Sequence, residues 1–200
     1  MLQQTIPFEL HLTIKPLNND LIDSFVASCT MLDAKPILIE LAQGEHLQQP
    51  MFTKLIHCKT LSEAQSEATA YQRILNQANF EVRRIKIEIP ANQYNATVWE
   101  TNSTATPYFE WHGKISFERQ EELLLLCERH RVHLSLNALK DAQEVRFVTL
   151  REYGTKKQFQ TRVDQLILSL SDQGWRIHKQ QAEYCLFDDN VTLDLGWLPN

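Results

Sequence analysis

The chain repeats itself, and that limits what it can fold into more than any other feature. Phe8-Glu9-Leu10-His11-Leu12-Thr13-Ile14 and Phe109-Glu110-Trp111-His112-Gly113-Lys114-Ile115 share the pattern F-E-x-H-x-x-I at an offset of 101. Phe25-Val26-x-x-Cys29 then matches Leu123-Leu124-x-x-Cys127 at an offset of 98. Thr60 and Glu63 match Thr155 and Gln158 at an offset of 95, where Ala64, Ala68, Tyr71 and Leu75 also fall on Phe159, Val163, Leu166 and Leu170. Phe80, Val82 and Glu88 fall on Trp175, Ile177 and Glu183. The order is kept throughout, and the offset shrinks only where loops intervene, so two copies with loop deletions are expected. The expected boundaries are 1–91 for the first repeat, 92–107 for a linker, 108–187 for the second repeat, and 188–200 for a tail docked on the body.

Each copy reads as β-α-β-β-α-β. Residues 8–14 alternate apolar and polar, the mark of a half-buried strand, whereas Leu21, Ile22, Phe25, Val26, Cys29 and Leu32 recur at helical spacing. Thr60 with Glu63, and Thr155 with Gln158, read as capping boxes. Asn79 and Gly174 suit the left-handed ends of the helices that follow. This order resembles the ferredoxin-like, or split βαβ, fold. The expected class is α+β: a tandem duplication of that unit, with antiparallel sheets carrying their helices on one face.

Period-2 alternation then sorts side chains by face. Phe8, Leu10, Leu12 and Ile14 are expected against the helices, leaving Glu9, His11 and Thr13 on the open face with Arg84, Lys86 and Glu88. The second copy repeats this with Glu110, His112 and Lys114 beside Lys179, Gln181 and Glu183. Lys54, Thr149 and Arg151, on the third strands, are candidates to add cations or hydroxyls. If the open faces meet, they line a polar cavity; if the copies join edge to edge, these residues coat a solvated surface. In the first case His11 and His112 are the candidate acid/base groups. Their neighbours would bind a small anionic ligand between the repeats. Four of these residues, Glu9, His11, Glu110 and His112, could hold a divalent ion there. No metal site is assigned, however, because Glu and His two apart are common on exposed strands. No cofactor is indicated, and an interaction module using sheet edges or the acidic tail is a further reading.

Two short segments, His11-Leu12-Thr13-Ile14 and His133-Leu134-Ser135-Leu136, fit H-φ-[ST]-φ. This resembles the paired motif of the 2H phosphoesterase superfamily. That resemblance implies His11 and His133 as an acid/base pair, Thr13 and Ser135 as phosphate contacts, and cyclic phosphodiesterase activity. His11, however, matches His112 in the repeat, not His133. The stretches QPMFTK, HLSLNA, RFVTLR and YCLFDDNVTLDLGWL are also similar to a bacterial protein family of duplicated build, a likeness that implies fold alone.

Several classes are disfavoured by what is missing. Five scattered glycines leave no glycine-rich phosphate loop. A net charge of −5, with a pI near 5.8, lacks the basic surplus that phosphate-backbone binding needs, so no nucleic acid partner is expected. No apolar run approaches the ~20 residues of a membrane helix, and no basic-then-apolar leader opens the chain, so cytoplasm is the expected compartment. Cys29, Cys58, Cys127 and Cys185 are dispersed and expected as reduced thiols. His57-Cys58 lacks a spaced zinc partner, Asp188, Asp189 and Asp194 do not fit a calcium loop, and Gly154-Thr155-Lys156-Lys157 reads as an N-cap.

Overall fold

The fold comes from a computed structural model that describes residues 5–99, 106–139 and 145–196. The first half runs β1 (Ile6–Ile14), α1 (Asn19–Met31), β2 (Lys35–Leu41), β3 (Gln48–Cys58), α2 (Leu61–Gln77) and β4 (Val82–Pro90). A 3-10 turn (Ala91–Gln93) and a single-turn helix, α3 (Ala96–Trp99), follow. The second half runs β5 (Tyr108–Ser116), α4 (Gln120–His130), β6 (His133–Asn137), β7 (Val145–Glu152), α5 (Lys156–Asp172) and β8 (Ile177–Asp188), closed by a 3-10 turn at Val191–Asp194. The element order in both halves is the one the periodicity predicts.

The sheets are not. The strands form one closed antiparallel barrel in the order β1-β3-β2-β6-β7-β5-β8-β4. This overturns the expectation of open ferredoxin-like sheets with helices packed on one face. Each half contributes a four-strand arc, and the arcs join where β2 pairs with β6 (Ile39 opposite Asn137) and β4 with β8 (Ile89 opposite Tyr184). Closure satisfies the strand edges that an open sheet leaves bare. Alternation reports which face of a strand is apolar. It carries no information about which edge a strand will meet, so the closure was invisible in the periodicity.

The helix-facing side of the strands is where the apolar core sits. Phe8, Leu10, Leu12 and Ile14 are fully buried there beside Phe25, Cys29, Ala64, Ala68 and Leu75. Trp111, Ile115, Leu150, Phe159, Val163 and Leu166 repeat the arrangement in the second half. Thr155 and Gln158 make a complete capping box. At the other helix Thr60 accepts from the Glu63 amide, but the Glu63 carboxylate takes the amide of Lys59, one residue before the expected one. Asn79 and Gly174 are left-handed, at φ of 66° and 80°, which fits their place as helix terminators.

The segment expected as a linker is packed where it is described: Tyr94 meets Phe109 edge-on and Tyr184 at a tilt, and Trp99 meets Phe8 edge-on. Residues 100–105 of that segment, and Trp197 in the tail, lie outside the described residues. The tail itself crosses one end of the barrel. Leu193 accepts a hydrogen bond from the Gln49 side chain, Leu195 accepts from the Glu45 amide, and Asp194 is buried.

Candidate functional site

With helices outside, the alternate strand residues face inward, and the barrel encloses a cavity of about 290 Å³. All eight strands contribute. Glu9, His11 and Thr13 come from β1, Arg84, Lys86 and Glu88 from β4, Glu110, His112 and Lys114 from β5, Thr149 and Arg151 from β7, and Lys179, Gln181 and Glu183 from β8. Of the two arrangements left open by alternation, it is the facing one that brings these residues together. Exposure marks the mouth: along β8, Lys179 and Gln181 are exposed while Glu183 is buried.

Lys54 is the exception among the predicted site residues. Its ammonium donates to the carbonyls of Leu32 and Asp33 at 2.8 and 2.7 Å, outside the barrel, where it closes the end of α1. The cause is parity. Met51 and Phe52 are both apolar, so the alternation is ambiguous there, but Phe52 belongs to the core and Lys54 shares its side. Thr53 therefore points inward and hydrogen-bonds His11 Nδ1 at 3.0 Å, with an equivalent contact from Thr149 to His112 Nδ1, also at 3.0 Å.

The deep end is an ionic network. Arg84 holds Asp188 and Asp194, Arg151 holds Glu110 and Asp194, and Lys86 holds Glu88 and Glu110, all at 2.5–3.0 Å. Tyr108 donates to Asp188 at 2.6 Å. Burial alone would raise the Glu110 carboxyl, but Lys86 and Arg151 outweigh it and hold it well below the usual carboxylate range. Asp194 is held low in the same way by Arg84 and Arg151, against its burial. The tail aspartates were missed as site residues because nothing local links them to Arg84, which precedes Asp194 by 110 residues.

Nearer the mouth the balance changes. His11 Nε2 lies 2.9 Å from Glu88, whose carboxyl Lys86 and His11 keep low in spite of its burial. His112 Nε2 lies 3.4 Å from Glu110 and 3.5 Å from Glu183. Among the described residues, neither Glu9 nor Glu183 has an arginine or lysine partner. Burial, reinforced by Glu88 and Glu9, raises the Glu183 carboxyl well above its ordinary range. Gln181, absent from the predicted ligand set although alternation put it on the same face, donates to both, at 3.2 Å to Glu9 and 2.7 Å to Glu183.

The four-residue ion set of Glu9, His11, Glu110 and His112 does not assemble, because Glu110 is consumed by Arg151 and Lys86. The group whose donor atoms all lie within 4.8 Å of one another is Glu9, His11 and Glu183. His133 is buried in β6 but is not among the residues lining the cavity, and burial together with Arg151 lowers its imidazole to about 4. The four cysteines are buried free thiols, and no helix among the described residues is long and apolar enough to cross a membrane.

No family model matches the chain, and no curated protein matches it. Among solved structures, a candidate monooxygenase from Fusobacterium nucleatum matches at 9% identity and a TM-score of 0.34, over 100% of this chain and 99% of the other. A mutant chlorite dismutase from Candidatus Nitrospira defluvii matches at 14% identity and a TM-score of 0.29, over 96% and 94%. Likenesses this faint carry no argument about what the barrel does, which rests on its own residues.

Proposed function

We propose that the barrel lumen binds a small anionic compound, with a carboxylate or phosphate group seated between Lys114 and Lys179 at the mouth. One observation carries the reading. Lys114 and Lys179 stand directly opposite each other on β5 and β8, both line the cavity, and among the described residues neither has an ion-pair partner. Like charges opposed across a sheet repel, and an anion between them turns that repulsion into attraction. The deeper cations are poor candidates for this task, since Arg84, Lys86 and Arg151 are already committed to carboxylates. Below the lysines, Glu183 beside His112 adds a group able to give a proton to a bound anion.

Two other readings have no comparable observation behind them. The paired-histidine phosphodiesterase would use His133, which is buried and is not among the residues lining the cavity. For an interaction module, the closed barrel pairs the sheet edges and leaves the acidic tail as its candidate surface.

The test is calorimetric titration of a panel of mono- and dicarboxylates and phosphate monoesters into the wild type and a Lys114→Gln/Lys179→Gln double variant. Binding that weakens with added salt and drops at least tenfold in the double variant is expected. A panel without any binder, or an affinity untouched by the double substitution, would defeat the reading.

A further inference from the structure

Counting charges in the lumen singles out one place. Glu9, Glu88, Glu110, Glu183, Asp188 and Asp194 share the barrel with Lys35, Lys114 and Lys179 toward its outside and with the deeper cations Arg84, Lys86 and Arg151. Those deeper cations are claimed by Glu88, Glu110, Asp188 and Asp194. Glu9 and Glu183 are left outside that network. Glu183 is 5% exposed, and among the described residues neither it nor Glu9 has an arginine or lysine partner, so an ion bound here meets two carboxyls not committed to a cation.

We propose that Glu9, His11 and Glu183 form a binding site for a divalent first-row transition-metal ion at the mouth of the barrel. Their donor atoms already lie within 4.8 Å of one another on β1 and β8, so side-chain rotation alone, without movement of the strands, is what closing on one ion requires. One imidazole and two carboxylates suit manganese, iron, cobalt or zinc better than magnesium or calcium, which prefer all-oxygen shells.

The surroundings have the form of a supporting shell. Thr53 engages Nδ1 of His11, which fixes the ring and presents Nε2. Gln181 spans both carboxylates through one amide nitrogen and so holds Glu9 and Glu183 toward each other. Outer contacts of this kind orient ligands and contribute measurably to affinity. Nε2 lies 2.9 Å from Glu88, and binding exchanges that contact for an ion–nitrogen bond while Glu88 keeps Lys86. The proposal shares Glu183 with the anion reading but uses none of the lysines at the mouth, so the lysine variants tell the two apart.

Cobalt(II) is the probe, because its visible absorption reports nitrogen and oxygen ligation without any assay of activity. Untagged wild type is expected to bind one cobalt ion per chain with a structured visible band, and manganese and zinc are expected to compete. Glu183→Gln and Glu9→Gln, which keep side-chain shape, should each weaken cobalt binding at least tenfold. Gln181→Leu should weaken it about tenfold, and Lys114→Gln/Lys179→Gln should leave it unchanged. Glu183→Gln should also unfold at no lower temperature than wild type without metal, which separates a lost ligand from a lost fold. Absence of stoichiometric binding by all three ions overturns the site, as does unchanged affinity in the Glu9→Gln/Glu183→Gln double variant.

Discussion

The two halves of the barrel carry the same strand motif into different electrostatic company. In both, a histidine on the first strand leans on a threonine of the neighbouring strand, His11 on Thr53 and His112 on Thr149. In both, a glutamate of the last strand stands close by, Glu88 or Glu183. The glutamates are nevertheless pushed in opposite directions, the Glu88 carboxyl below its ordinary range by Lys86 and His11 and the Glu183 carboxyl above it by burial, Glu88 and Glu9. The residue two positions earlier accounts for much of it, since Lys86 in the first half is replaced by the uncharged Gln181 in the second. Glu88 thus sits inside an ion network built from both halves, whereas its counterpart Glu183 sits outside it beside Glu9. A repeat can preserve geometry while a single neighbour reverses the chemistry.

Substituting Lys86→Gln makes the first half resemble the second and is expected to have the largest effect. It strips the shared cation from Glu88 and Glu110, both buried, and such losses cost about 3–5 kcal/mol. Urea unfolding at pH 7 should show that loss, and it should shrink at pH 5 as the stranded carboxyls take up protons. A stability unchanged at both pH values would mean the network is dispensable.

The next asymmetry lies across the strands from the threonines. Thr53 faces exposed Lys35, whereas Thr149 faces buried His133. His133 is lowered to about 4 by burial and Arg151, against an ordinary value of 6.5. The unfolded chain therefore binds the extra proton first as pH falls. The stability associated with neutral His133 is complete above pH 6.5 and lost on descending toward 4, by about 3 kcal/mol in all. His133→Gln should flatten the difference in urea midpoint between pH 7 and pH 4.5 relative to wild type. Parallel pH profiles for the two proteins would contradict the buried neutral imidazole.

The smallest effect is expected from the reverse exchange, Gln181→Lys, which gives the second half its missing cation. Carboxyl carbon resonances followed by NMR should show Glu183 titrating at least one unit lower than in wild type, since an adjacent opposite charge favours the ionised form. A Glu183 titration that does not move would show that burial alone governs it.

Much of the candidate site was legible before any coordinates. Phe8, Leu10, Leu12 and Ile14 announced one face of β1, and so delivered Glu9, His11 and Thr13 to the other. Lys54 was misplaced where two adjacent apolar residues, Met51 and Phe52, blurred the alternation. Asp194 and Asp188 were missed because their partners, Arg84 and Arg151, are distant in sequence and meet them only after the tail folds across the barrel.

The order of strands and helices, and the two-sided character of each strand, were determined by the sequence alone, because hydrophobic periodicity is a property of consecutive residues. Closure of the two arcs into a single barrel was decided by tertiary structure, and so was the charge state of each buried carboxyl. Both depend on which strand edges and which cations arrive from elsewhere in the chain. A buried carboxyl's energy is set by the nearest charge in space, and spacing along the chain does not reveal that distance.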